Sequence, residues 1–403
     1  MVEEIRNTIR EQQGKDSGMI FVDPDLEFVN EVAGMSGDSF KKCFQCAACS
    51  ATCPISPDEN PFPRKEMIWA IWGMKDRLIK DPDIWLCYQC NDCSAVCPRT
   101  GNPGDVLAGI RNLAFKYYAF PSFMGKWLSD IKYLPLLILF PAILLLLVMG
   151  ATGHLTIPEG EIVFRKVFPH PWPLDAVFIL ASLVAAGCAA VGAMRFWNDI
   201  RNSPVQRKEG HLTTFGEGIS ATIKEILQHS RFSECEAGKH RYYSHLLVFY
   251  GFLALFLTTS LVCTGLYLFD LQTPLPLLHP VKVLGNLEAA AFLVGICLMI
   301  YQRLVAAEKD VGKSSYSDWF FLWLMLTLAL TGIFSQVFRL AEIRVLAYGT
   351  YFLHLVSVLM LFLYFPYSKF AHLMYRTIAI IHARIPVSVS ATTIAADSSS
   401  EAA

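Results

Sequence analysis

Two cysteine runs carry the plainest chemistry in this sequence. Lys42–Pro54 reads KCFQCAACSATCP and Leu86–Pro98 reads LCYQCNDCSAVCP. Each has the form C-x2-C-x2-C-x3-C-P, a spacing that holds [4Fe–4S] clusters. Three thiolates on one tight loop can reach three irons of a cubane. The proline after the fourth cysteine stops the chain from continuing as a regular helix. Where two such runs occur, the fourth cysteine of each serves the other cluster. The spacing therefore predicts one cluster on Cys43, Cys46, Cys49 and Cys97, and a second on Cys87, Cys90, Cys93 and Cys53. Zinc sites favour separated C-x2-C pairs over triplets followed by C-P. A disulfide framework needs an oxidising compartment, and the N-terminal residues do not read as an export signal. The runs also match at Phe44/Tyr88, Gln45/Gln89, Ser50/Ser94 and Ala51/Ala95, as an internal duplication would.

The histidines form a second set. All 10 lie beyond residue 150. His354 and His372 are 18 residues apart, five turns at about 100° per residue. If the helix continues through Pro366, both imidazoles share a face, about 27 Å apart along the axis and near one hydrocarbon thickness. An ionisable residue within a membrane span is a functional-site hypothesis by default. The chemistry expected is one or two b haems, stacked one near each leaflet and gripped by histidines from different helices. The plainer alternative is that His354 bonds a neighbouring helix and His372 is interfacial. His245 is the expected partner of His372, with His240 the lesser candidate. For the other haem, His279 is chosen over His154 and His170. Cys188, Cys235, Cys263 and Cys297 are isolated and read as ordinary small apolar residues.

The elements that must position these residues follow from composition. The chain of 403 residues is 54% hydrophobic and only 17% charged. Residues 1–132 are polar in the ordinary way. Six apolar runs follow, at 134–153, 176–194, 246–269, 283–302 (with Glu288 inside), 319–338 and 345–368, each long enough to span a bilayer. The expectation is all-α: a helical ferredoxin domain over 1–125, a six-helix transmembrane haem-b bundle over 126–385, and a disordered tail over 386–403. Lys and Arg concentrate between spans two and three, between four and five, and after six. By the positive-inside rule this places the iron–sulfur domain and both termini on the cytoplasmic side of the inner membrane. Within 199–240, Thr213–Gln228 has apolar residues at helical spacing and reads as an interfacial helix. A net charge of −1, with no P-loop and no G-x-G-x-x-G, gives no sign of nucleic-acid, flavin or nicotinamide binding.

The cysteine motifs in residues 40–120 resemble the C subunits of heterodisulfide reductases, small all-helical ferredoxins with two [4Fe–4S] clusters. The membrane half, above all FLHLVSVLMLFLYFPYSKFAHLMYR, resembles haem-b subunits of the respiratory nitrate reductase gamma type, with His354 and His372 at the family's ligand positions. One departure is Leu255, where that family has a second histidine ten residues after the position of His245. The fusion of both halves is similar to the C subunits of quinone-interacting membrane-bound oxidoreductases. The resemblance implies electron transfer between menaquinone or another quinone and soluble flavin/iron–sulfur subunits resembling heterodisulfide reductase A, leading to adenylylsulfate reductase. It implies a quinone site near Lys282. Glu288, a carboxylate in an apolar run, suits proton transfer beside it, or else bonds a neighbouring helix. Two other readings stay open: a haem-free or single-haem anchor, and a heterodisulfide- or sulfite-reductase module.

Overall fold

A computed structural model describes residues 24–57, 60–167, 171–202, 214–233, 239–269, 271–305 and 312–384. His170, Cys235, the side chain of His240 and the tail lie outside the described residues. Among the described residues the chain is helical throughout, without a strand.

Eight helices build the first domain: α1 (Leu26–Ser36), α2 (Ala48–Thr52), α3 (Arg64–Ile71), α4 (Lys75–Ile79), α5 (Asp83–Leu86), α6 (Asp92–Ala95), α7 (Pro103–Tyr118) and α8 (Ser122–Trp127). The longest, α7, is buried along most of its length and is the post around which the others pack. Duplication is visible in the backbone. Cys43 and Cys87 have φ/ψ of −64/127° and −64/126°. Gln45 and Ala47 take positive φ (63° and 66°), as do Gln89 and Asn91 (55° and 74°). Side chains at these angles are uncommon and cost energy, so a tight turn is being enforced in both copies. After each turn, α2 and α6 pack against one another. The matched serines then do the same work. Ser50 Oγ accepts from the Arg64 amide (3.2 Å) at the start of α3, and Ser94 Oγ accepts from the Gly104 amide (3.0 Å) at the start of α7. Each hydroxyl satisfies a helix-start amide that the helix itself leaves without a partner.

Behind α3 lies a buried charged group. Lys65 Nζ is 2.5 Å from Asp83, 3.2 Å from Asp81 and 3.5 Å from Glu66. The three carboxylates are fully buried. Burial pushes Asp81 up to about 6, and it raises Glu66 as well.

Six long helices follow: α9 (Leu134–Ala151), α10 (Pro171–Arg201), then, after α11 (Phe215–Gln228) and α12 (Ser230–Ser233), α13 (Lys239–Leu268), α14 (Pro280–Val305), α15 (Tyr316–Leu340) and α16 (Arg344–Tyr364). All six are long and apolar enough to cross a membrane. Leu139, Leu147, Leu183, Leu261 and Leu287 on their outer faces are more than half exposed, as suits a lipid solvent. Antiparallel neighbours α13/α14 and α15/α16 make the largest contacts. Polar bonds between the bundle helices include Thr258 Oγ1 donating to Glu288 (2.8 Å) and Tyr364 donating to the Leu137 carbonyl (2.8 Å).

The sixth span does not continue to His372. α16 ends at Tyr364, 3-10 turns occupy Phe365–Tyr367 and Lys369–Ala371, and α17 (His372–Arg384) starts afresh. Pro366 lacks the amide that a continuing helix needs, and Ser368 caps the new turn by accepting from the Phe370 amide. The five-turn phasing of His354 and His372 is therefore lost.

α17 returns onto the first domain. Its Tyr375 joins Trp85, Phe115, Tyr118 and Phe196 in one aromatic box, with Trp85 and Tyr375 stacked at 4.8 Å. One hydrophobic core thus runs from the cysteine domain into α10 and α17. α11 lies against α17 with an unusual polarity. Its Thr222 and Glu225 are buried, while Phe215, Ile223 and Leu227 face outward.

Candidate functional site

The cysteines come together in crossed sets. Cys43, Cys46, Cys49 and Cys97 line one cavity, with Gln45, Arg64 and Met67 around them. Burial pushes the Cys49 thiol up to about 11, and Cys43 beside it adds to the rise. On the other side, burial pushes Cys53 up to about 12, with Cys87 and Cys90 close enough to raise it further. Burial also raises Cys93, and Cys87, Cys90 and Cys53 all contribute. Donors already point at sulfur: Gly101 N–H to Cys97 (3.2 Å), Gln89 N–H to Cys87 (3.3 Å) and Gln45 Nε2 to Cys43 (3.4 Å). Crowded thiols with raised pKa values, met by N–H donors, fit a group that displaces their protons and leaves thiolates. Two iron–sulfur clusters are such groups.

The two loops differ in setting. Cys46 and Phe44 of the first are exposed. The second is clamped by three arginines from three helices. Arg111 of α7 donates to the Ile84 carbonyl (2.9 Å) and to Gln89 Oε1 (2.9 Å). Arg376 of α17 donates to the Trp85 (3.0 Å) and Cys87 (2.6 Å) carbonyls and lies 4.1 Å from the Tyr88 ring. Arg241 of α13 donates to the Gln89 carbonyl.

Two of these arginines sit one helical turn from a histidine: Arg241 before His245, and Arg376 after His372. The helices carry the arginines to the cysteine loop and the histidines toward the bundle. His245 and His372 meet with ring centroids 6.5 Å apart and planes at 78°. An iron held by both would sit about 2 Å from one nitrogen of each ring, and these two imidazoles from different helices are near enough to share one. His372 Nδ1 is taken up by the Lys369 carbonyl, which leaves Nε2 for a ligand. His245 Nδ1 is buried without a partner. His245 and His372 are the residues that could hold a haem iron between them. His229, at the end of α11, packs on His245 at 5.0 Å. Burial lowers the pKa of both His229 and His372, the latter to about 4, so neutral rings are favoured.

The remaining expected residues are scattered. His354 Nδ1 lies 3.1 Å from both the Leu328 carbonyl and Thr331 Oγ1. Among the described residues no second imidazole packs on it, and His279 and His154 each keep a buried, unpartnered Nδ1 elsewhere. Glu288 is buried on Thr258, and Lys282 is half-buried at the other end of the same helix's first two turns. Sequence reasoning missed Arg111, Arg241, Arg376 and His229. The i, i+4 spacing of Arg241–His245 and His372–Arg376 was the available signal for two of them.

The fold and site define a class: a helical two-cluster iron–sulfur domain built onto a bundle of membrane-type helices. Residues 39–100 match the 4Fe-4S dicluster domain family. Residues 128–392 match the model for citrate utilization protein B, and the chain belongs to that family. It is 29% identical over 293 residues to citrate utilization protein B of Escherichia coli, covering 70% of this chain and 74% of the relative. It is 39% identical over 93 residues to the C subunit of the H(2):CoB-CoM heterodisulfide,ferredoxin reductase of Methanothermobacter marburgensis, covering 23% of this chain and 50% of that one. A protein of Archaeoglobus profundus, described as like the C subunit of heterodisulfide reductase, is 38% identical over 81 residues, 20% of this chain and 43% of its own. The chain thus spans about half the length of these two reductase relatives or less. No solved structure matches.

Proposed function

We propose that this chain is the membrane electron-transfer subunit of a quinone-linked oxidoreductase, joining the quinone pool to soluble partners through haem b and two [4Fe–4S] clusters. The observation that carries the reading is the double His–Arg arrangement, in which His245 and His372 face one another while Arg241 and Arg376 on the same helices hold the loop of Cys87. One-electron transfer is what iron–sulfur clusters and haem supply when bound. The residues of this chain fix the positions. Cys43, Cys46, Cys49 and Cys97 hold one cluster; Cys87, Cys90, Cys93 and Cys53 hold the other. His245 and His372 hold a haem between α13 and α17, and His354 is the remaining ligand candidate for a second. The three arginines set positive charge against thiolates and tie the second loop rigidly to the bundle.

The first loop, with Cys46 and Phe44 exposed, is the side for a soluble partner. Likeness to heterodisulfide reductase C subunits supports partners resembling the A subunit of that enzyme. A route onward to adenylylsulfate reductase rests on the resemblance of the whole fusion. The quinone is assigned to the start of α14, where Lys282 can donate to a carbonyl oxygen and Glu288 can pass a proton. The iron–sulfur domain is assigned to the cytoplasmic face.

The test is to add a menaquinol analogue to membranes containing the chain, and follow a haem absorption band together with the cluster EPR signals. Reduction of both is expected. A purified chain with its iron–sulfur content intact but no haem band would replace this reading with that of a haem-free anchor.

A further inference from the structure

A different site lies where the bundle meets the first domain, away from the cysteine loops. A cavity of about 590 Å³ opens between α7, the end of α8 and the start of α15, and its lining holds Lys116, Arg303 and Lys313 with no carboxylate. The hydroxyls of Ser129, Ser314 and Ser317 share it. A second cavity of about 620 Å³ adjoins it through Lys116, Ser129 and Tyr316, and adds Lys126, Asp130, Ile131 and Tyr133.

The polar groups there are not all spent. Arg303 donates to Ser314 (2.6 Å) and lies 4.0 Å from Asp318. Lys313 turns its ammonium toward Gly37. Asp130 is engaged with Lys132. Lys116 and Lys126 have no carboxylate partner among the described residues. Asn112, 8% exposed, lines the cavity with its Oδ1 unpartnered, and the Tyr316 hydroxyl between the two cavities is also buried and unpartnered.

We infer that this double cavity binds the headgroup of an anionic phospholipid of the phosphatidylglycerol type. Two ammonium groups without a carboxylate partner among the described residues, with the Ser314 hydroxyl beside them, suit a phosphate diester; the Ser129 and Ser317 hydroxyls donate to the Gly125 and Leu128 carbonyls. Asn112 suits the glycerol: a hydroxyl can donate to Oδ1, or, with the amide turned, Nδ2 donates to the phosphate. Location points to a lipid rather than a free phosphate. Ile131 and Tyr133 open the first span, while Tyr316 and Trp319 open the fifth. Aromatic residues at span ends mark the headgroup level, and basic pockets between spans at that level bind anionic headgroups. The inference rests on the membrane-spanning reading and not on electron transfer.

The experiment uses the full chain, delipidated in detergent. Its melting temperature is followed against phosphatidylglycerol, phosphatidylcholine, inorganic phosphate and glycerol 3-phosphate, with bound lipid phosphorus counted per chain. Phosphatidylglycerol should give a saturable rise, and phosphatidylcholine none. Lys116→Gln and the exposed Lys126→Gln should each weaken the effect roughly 5- to 10-fold, the worth of one ordinary hydrogen bond in water. Wild-type titration by both variants, or equal stabilisation by phosphatidylcholine, would overturn the site. Saturation by inorganic phosphate or glycerol 3-phosphate at the same concentrations would replace the lipid with a soluble ligand and overturn the proposal as stated. Release of the chain from membranes by an alkaline wash would instead overturn the membrane reading beneath it.

Discussion

Arg376 Nη2 donates to the carbonyl of Cys87 at 2.6 Å across a sequence separation of 289 residues. Its Nε reaches the Trp85 carbonyl at 3.0 Å. One planar guanidinium therefore fixes the backbone on both sides of Leu86, which a lysine's single ammonium would not do with the same geometry.

Arg376→Ala removes the side-chain donor to the Trp85 carbonyl, at roughly 1–3 kcal/mol, and leaves the Cys87 carbonyl only the longer bond from Arg111 (3.4 Å). The expected result is selective loss of the cluster assigned to Cys87, Cys90, Cys93 and Cys53, seen as one missing EPR signal and about half the iron. Arg376→Lys should fall between. Equal loss of both clusters would show that the clamp serves the whole domain and not one loop.

The crossed pairing has its own test. Cys97→Ser should damage the cluster of Cys43, Cys46 and Cys49, and Cys53→Ser the other one. Non-haem iron near eight per wild-type chain follows from two cubanes. If each serine variant disturbed the cluster of its own run, the crossing would be wrong.

Much of this arrangement was legible in the residues. Cysteine spacing marks two loops, because ligand geometry leaves little freedom, and long uncharged runs mark six spans, because lipid tolerates little else. Ser50 and Ser94 were visible as matched letters; that both cap the following helix was not, since capping depends on where each loop ends. The break at Pro366 was foreseeable from its missing amide, yet its consequence was not: a new helix, α17, folding back to bring His372 against His245. The arginines were the deepest omission. Arg241 and Arg376 read as loop charges that set membrane orientation, and only the tertiary fold turns them toward carbonyls of the cysteine loop.

His245→Ala and His372→Ala should abolish the same haem absorption band, because their ring centroids lie 6.5 Å apart on two different helices. His229→Ala should keep that band and shift its midpoint potential, since His229 packs on His245 without facing His372. Loss of different bands in the first two variants would refute the pairing.

Glu288 and Lys282 separate by chemistry. Glu288→Gln keeps a bond to Thr258 and removes a titratable proton, so quinol-driven haem reduction should slow while the bundle stays intact. Lys282→Ala should raise the quinol concentration needed. Normal rates in both, with haem and clusters retained, would remove the quinone from the start of α14.

Asp81 gives a pH prediction. Its folded pKa of about 6 lies above the ordinary 3.8, so the native state holds this proton more tightly than the unfolded chain does. That contribution is complete below about pH 4 and fades as pH rises through 6. Asp81→Asn, which cannot ionise, should therefore gain stability relative to wild type across this window, by roughly 1–3 kcal/mol. Melting temperatures of both proteins at pH 4, 5, 6 and 7 measure the gap; a gap that narrows with rising pH contradicts the sign.

The contact between α17 and the Trp85–Cys87 carbonyls also imposes an order on biogenesis. A ribosome delivers the cysteine loop nearly three hundred residues before it delivers Arg376. Within that interval Arg111 arrives first and Arg241 only with α13, and until its end the aromatic box lacks Tyr375. The loop's final surroundings exist only after the sixth long helix has been made and α17 has folded back onto the first domain. On the proposed membrane-spanning reading, completion of the iron–sulfur domain is in this way a report that all six crossings have been made.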